Sequence, residues 1–174
     1  MNNRHIVYSV FILCLVACGP FHQPKDERFV LCRPFNHVWK ECAAVPLASS
    51  MEDAEAKTFK TPMSGKAQVY VVRRYTNEYQ KTSEIVLNDK PVATIGPETY
   101  IVLNLDPGDY TLVASTDDKA VLHLSVSPGE NYYVKYSLTL WLGTVSGKLV
   151  VTDDREGQSL IIASKKAVAN PDFK

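Results

Sequence analysis

From residue 67 onward, short segments of alternating apolar and polar residues fill the chain, and they restrict its fold more than any other feature. Turn-forming residues separate these segments at centres near positions 89, 97, 107, 117 and 128, about ten residues apart. Regular spacing of this kind favours an antiparallel sandwich or barrel over strands that alternate with helices. The repeating unit is therefore a strand followed by a tight turn.

Two details support this interpretation. Ile101, Leu103 and Leu105 fall on one face of a strand, as the two-residue period of a half-buried strand requires. Pro-Gly pairs at 107–108 and 128–129 are typical of type II turns. We predict an all-β fold: an antiparallel, immunoglobulin-like β-sandwich of about seven to eight strands over residues 67–166.

The end of the chain predicts a C-terminal helix. Asp153 can cap its first turn, with Glu156 three residues later. Gly157 lowers helix propensity by about 1 kcal/mol. A further strand through residues 160–162 is the alternative.

The N-terminus has the composition of a signal peptide. Arg4 precedes an apolar run from Ile6 to Ala17, which is too short to span a bilayer as a helix. The run ends in small residues before Cys18, as cleavage by a signal peptidase requires. We predict a signal peptide over residues 1–17.

The four residues Leu15-Val16-Ala17-Cys18 resemble the lipobox of bacterial lipoproteins. The resemblance implies that Cys18 receives a diacylglycerol and becomes the acylated N-terminus of the mature chain. Several acyl chains on one residue hold a protein firmly at a membrane. Gly19, where enterobacterial lipoproteins retained at the inner membrane tend to have Asp, implies an outer-membrane location facing the periplasm.

Residues 18–66 lack clean strand alternation and are rich in loop-forming residues, so we predict a lipid-anchored tether. A short helix is expected near residues 50–57, because Ser49 and Glu52 have the spacing of a capping box.

Cys32 and Cys42 lie within this tether. Outside the cytoplasm, two such cysteines most simply form a disulfide. The alternative is a metal-handling lipoprotein in which Cys32, His37 and Cys42 bind a soft metal, although the spacing matches no zinc pattern. We predict the disulfide, with no metal and no cofactor.

Charge excludes one class of partner. Lys and Arg total 19, and Asp and Glu also total 19. Removal of residues 1–17 takes away Arg4 and no acid, which leaves the mature chain with a net charge near −1. A nucleic-acid-binding domain normally carries a basic face, so we expect no nucleic acid as a partner.

Aromatic residues suggest a binding surface. The candidate residues are Tyr70, Arg73, Arg74, Tyr132 and Tyr133. Exposed tyrosines offer flat apolar area with a polar tip, which suits an envelope protein or a glycan. Cross-strand packing inside the sheet is the alternative use of such residues.

No catalytic motif is present in the sequence, so we expect a binding or structural module and no enzyme.

Several segments resemble one family of bacterial lipoproteins, the domain of unknown function 2846. They include the strand from Gly65 to Arg74, the turn Asn88-Asp89-Lys90, and the segments at 106–110 and 128–133. The resemblance implies a lipid-anchored β-sandwich in the cell envelope and brings no activity.

Overall fold

The computed structural model describes residues 45–74 and 81–170, and within them the chain forms nine strands and two helices. In chain order these are α1 (Ser50–Ala56), β1 (Ala67–Arg73), β2 (Ser83–Leu87), β3 (Lys90–Ile95), β4 (Thr99–Leu105), β5 (Gly108–Ser115), β6 (Lys119–Val126), β7 (Asn131–Trp141), β8 (Thr144–Thr152), α2 (Asp154–Ile162) and β9 (Lys165–Lys166).

Two sheets pack face to face and enclose the main core. One sheet has the order β8-β7-β1-β4-β9 and the other has the order β3-β2-β5-β6. Inward-pointing residues alternate along the strands; in β1 they include Val69 and Val71, which are almost completely buried. The β-sandwich is confirmed.

Two strand pairs depart from the predicted antiparallel arrangement. β1 pairs with β7 in parallel, with Val71 opposite Val134, and β4 pairs with β9 in parallel. The other pairs between described strands are antiparallel. Parallel neighbours need a long connection, and β1 and β7 are separated in sequence by five other strands.

The C-terminal segment links the two sheets at one edge of the sandwich. After β9 pairs with β4, Ala169 forms a bridge to Ala93 in β3. Leu47 bridges to Ala167 on the other side of the segment, and Val45 is fully buried in the main core. Residues 45–66 thus pack on the sandwich, so this part of the predicted tether belongs to the domain.

Both predicted helices are confirmed, and their caps are those expected. Ser49 and Glu52 form the reciprocal capping box of α1, and the Asp153 side chain accepts a hydrogen bond from the backbone of Glu156 at the start of α2. The alternative strand through residues 160–162 is wrong, because α2 includes them.

A second, smaller core lies on the outer face of the five-stranded sheet. Ile161 of α2, which is fully buried, packs there against outward-facing side chains of β1, β4 and β7. Ala56 and Phe59, at and just after the end of α1, pack against the same core. The middle strands of this sheet are therefore buried on both faces.

Neither helix within residues 45–74 and 81–170 combines the length and the apolar character needed to cross a bilayer.

Candidate functional site

The predicted binding surface does not form, because its residues are divided between two faces of the sheet. Tyr70 and Tyr133 are 1% exposed in the outer core, and Arg73 is 0% exposed and follows Val71 on the opposite, inward face. Arg74 is exposed and Tyr132 is half-buried. The prediction of a shared exposed surface is wrong, since the helices cover the face that strand alternation left open.

Tyr70, Tyr100, Tyr133 and Phe59 form a tyrosine cluster on that covered face. The rings of Tyr70 and Tyr133 stack with centroids 5.2 Å apart, and the Tyr100 ring lies 6.5 Å from Tyr70. Phe59 meets Tyr133 edge-on at 6.1 Å. Aromatic pairs at these distances contribute about 0.5–1.5 kcal/mol each beyond their buried area. The cluster attaches the segment after α1 to the sheet.

Asp53 of α1 is the polar centre of this region. Its Oδ1 accepts hydrogen bonds from the hydroxyl of Tyr100 at 2.9 Å and from the backbone N–H of Lys166 at 2.8 Å. Its Oδ2 lies 2.7 Å from Nζ of Lys57, which also donates to the carbonyl of Ser164 at 2.7 Å. One carboxylate thereby joins α1, β4 and β9.

The titration of these groups follows from their partners. Burial, with a smaller contribution from the neighbouring Tyr133, raises the pKa of Tyr70 to about 12. Burial and the hydrogen bond to Asp53 raise the pKa of Tyr100. Burial opposes ionisation of Asp53, but the bonds from Lys57, Lys166 and Tyr100 outweigh it and lower its pKa. At neutral pH the tyrosines are hydroxyls and Asp53 is a carboxylate.

A groove of about 440 Å³ runs between α1 and the outer face of β1 and β4. The hydroxyl of Tyr70 lies at its floor, 3.1 Å from the carbonyl of Ala56 and 3.1 Å from Oε1 of Gln68. The Gln68 amide donates to Oδ1 of Asn104 at 3.0 Å. Charged side chains of both signs form the rim: Glu52, Glu55, Lys60 and Lys166. We take this groove, defined by these residues, as the candidate binding site.

The acidic residues of the β5–β6 turn have structural partners. Asp117 pairs with Lys81 at 2.7 Å and accepts from the backbone N–H of Val145. Asp118 accepts from the N–H of Gly147 at 2.9 Å. These bonds attach the β5–β6 turn to the start of β8, which is the ordinary role of acids in turns.

Among residues 45–74 and 81–170, no hydrogen bond or ion pair joins a histidine to a glutamate. His123 is exposed on β6, and its Nδ1 lies 3.2 Å from the hydroxyl of Thr111. Glu156 lies 2.6 Å from Nζ of Lys135, which lowers the pKa of its carboxyl together with a hydrogen bond from Thr152.

The end of the β7–β8 hairpin is an exposed apolar surface that sequence reasoning missed. Leu140 is 52% exposed, Trp141 is 73% exposed and Leu142 is 89% exposed. Trp141 pairs with Thr144, so Leu142 and Gly143 form a two-residue turn. We call residues 140–142 the hairpin tip. Its turn has no Asn-Gly, Asp-Gly or proline signal, which is why alternation alone did not reveal the hairpin.

The remaining predicted site residues lie outside the part of the chain that the structure describes. These are Cys18, Cys32, His37 and Cys42. Within residues 45–74 and 81–170, no group of three or more His, Cys, Asp or Glu side chains is arranged to hold a metal ion.

Comparison with known proteins finds a distant relative. An uncharacterized protein of Haemophilus influenzae is 22% identical over 130 residues, which cover 74% of this chain and 77% of the relative. No family model matches the chain, and no solved structure matches it. The resemblance to the domain of unknown function 2846 stays a prediction.

Proposed function

We propose that this protein is a cell-envelope lipoprotein whose β-sandwich is a non-catalytic binding or structural module facing the periplasm. The observation that carries the proposal is the N-terminal sequence, in which Arg4 and the apolar run from Ile6 lead to Leu15-Val16-Ala17-Cys18. Acylated Cys18 would hold the domain at the membrane. The absence of Asp at position 19 favours the outer membrane.

The carboxyl groups of this domain favour a binding function over acid–base catalysis. A general acid or base works best with a pKa near the operating pH. The carboxyls of Asp53, Asp117 and Glu156 instead have lowered pKa values, because each accepts hydrogen bonds from a lysine and from other donors. Such groups stay ionised and hold elements together.

The groove beside α1 is the proposed contact surface for an envelope protein. Its floor carries the paired amides of Gln68 and Asn104, and its rim carries both charge signs. A polar peptide segment can match this mixture with its backbone groups and side chains. In this groove a glycan would need an exposed aromatic face, whereas the ring of Tyr70, the aromatic residue that lines it, is 1% exposed.

The membrane address is tested with Cys18→Ser in cells, followed by fractionation and mass measurement of the N-terminal peptide. We expect the variant to be released as a soluble species or to remain unprocessed, and the parent protein to carry acyl chains. A variant that is normally matured and still bound to the membrane would show that the proposed anchor is wrong.

The groove is tested by in-cell photocrosslinking. A photoreactive amino acid replaces Met51, an exposed residue that lines the groove, or His123 on the exposed side of the other sheet as a matched control. We expect an envelope protein to crosslink at position 51 and not at position 123. Equal crosslinking at both positions, or none at position 51, would rule out the groove as the contact surface.

A further inference from the structure

The hairpin tip extends past the sheet that supports its base. The last residue of β7 that pairs with β1 is Tyr136, opposite Arg73, and β7 then continues to Trp141 with β8 as its partner. These five further residues of β7 have β8 as their sheet neighbour. Leu138 and Val145, the partner of Leu140, remain buried in the main core, and the N–H groups of Val145 and Gly147 donate to the Asp117–Asp118 turn. The exposed part of the hairpin therefore begins beyond the Leu140–Val145 pair.

The fold does not account for the side chains at the tip. Leu142 has φ 46° and Gly143 has φ 84°, so both turn residues are in the left-handed region. That conformation suits glycine, asparagine or aspartate, and costs other residues about 1 kcal/mol or more. Leu142 is 89% exposed and recovers almost nothing by burial. A large apolar side chain is thus kept at a position where the fold favours a small polar one.

We propose that the hairpin tip inserts into the lipid surface to which the chain is anchored. The inference rests on the proposed lipoprotein function, because acylated Cys18 would keep the domain beside a bilayer. Residues 19–44 lie between Cys18 and the described domain. Fully extended, they would span up to ~90 Å at ~3.4 Å per residue, so their length permits the tip to face the membrane.

The chemistry of the tip favours lipid over a protein pocket. Residues 139–146 read Thr-Leu-Trp-Leu-Gly-Thr-Val-Ser and contain no charged side chain. Successive strand residues point to opposite sides, so Leu140 and Trp141 present apolar area in two directions. Fluid acyl chains surround such a projection from all sides. Tryptophan is enriched at membrane interfaces, where its ring is buried and its N–H remains near water.

Fluorescence quenching by brominated lipid tests the proposal directly. The full chain has two tryptophans, Trp39 and Trp141, so Trp39→Phe leaves Trp141 as the reporter. The acylated protein is reconstituted in phosphatidylcholine vesicles with bromine near the top of the acyl chains. We expect about twofold lower Trp141 emission than in unbrominated vesicles, because interfacial insertion reaches ~5–10 Å into the boundary region.

Two variants in the same background complete the test. Leu140→Ser with Leu142→Asn removes apolar area from the tip and should abolish the quenching. Met63→Gln removes an exposed apolar side chain, 73% exposed, from the loop before β1 and should leave the quenching unchanged. Circular dichroism of each variant checks that the sandwich is folded.

The outcomes separate this inference from the proposed function. Unquenched Trp141 in acylated protein overturns the tip inference, and quenching that persists in the double variant also overturns it. A chain that carries no acyl group overturns the proposed function and, with it, the tip inference that rests on it. Acylation is read independently from the mass of the N-terminal peptide. Self-association of the parent protein in lipid-free buffer that the double variant loses would assign the tip to a second copy and overturn the lipid surface as its occupant.

Discussion

The tyrosine cluster and the hairpin tip place aromatic side chains in opposite circumstances. Tyr70, Tyr100 and Tyr133 are at most 1% exposed and their hydroxyls have hydrogen-bond partners. Trp141 is 73% exposed beside a leucine in a left-handed turn. The first group is explained by folding, since it attaches both helices to the sheet. The exposure of the hairpin tip is not explained by folding, so we look for its role in an interaction with a partner.

The largest expected effect is in the cluster, at Gly157. A Cβ at this position of α2 would lie 2.3 Å from Cβ and Cγ of Tyr133. Gly157→Ala should therefore destabilise the domain by about 3 kcal/mol, as overpacking does. Helix propensity alone predicts a gain of ~1 kcal/mol. The unfolding free energy of Gly157→Ala, measured by chemical denaturation, decides between destabilisation by overpacking and stabilisation by helix propensity. Ser159→Ala, at an exposed position of α2, is the control.

The sequence predicted most strands and both helix caps, because alternation and capping are local signals. The groove and the tyrosine cluster could not be predicted from these local signals. Whether the outer face of β1 is covered depends on where α2 packs. In the sequence, Gly157 indicated only a lowered helix propensity. It is instead the position at which α2 approaches Tyr133 most closely.

Pairing between strands that are distant in sequence could not be predicted either. The parallel partnership of β1 and β7 has no signal in either strand, since its register depends on the packing of the whole sheet. The β7–β8 hairpin was missed because Leu142 occupies a position where a turn signal is expected.

Alkaline pH should have the next largest effect on the cluster. The pKa of Tyr70 is raised to about 12 in the folded protein, against ~10 in the unfolded chain. A tyrosine with a raised pKa stabilises the fold fully below pH ~10, and this stability is lost as the pH rises toward 12. Two pKa units correspond to at most ~2.7 kcal/mol. Tyrosinate absorbance and unfolding free energy, measured together, should change over this range in the parent and less in Tyr70→Phe.

A smaller loss is expected from Tyr100→Phe. The variant keeps the ring in the outer core and removes the hydroxyl that donates to Asp53 at 2.9 Å. A hydrogen bond to a charged group contributes about 1.5–3 kcal/mol, and Lys57 and the N–H of Lys166 still bind Asp53, so the lower end applies. Denaturation of Tyr110→Phe provides a comparison on a more exposed strand. Equal losses of unfolding free energy in Tyr100→Phe and Tyr110→Phe would contradict the central role of Asp53.

The measurement that most directly tests the contrast between cluster and tip is the unfolding free energy of Leu142→Asn. The Asn88-Asp89 turn of the β2–β3 hairpin has φ values of 45° and 64° and shows which residues this backbone favours. Asparagine at position 142 should raise the unfolding free energy by about 0.5–1 kcal/mol. A loss of similar size would show that the fold itself requires this leucine and would contradict the distinction between the two regions.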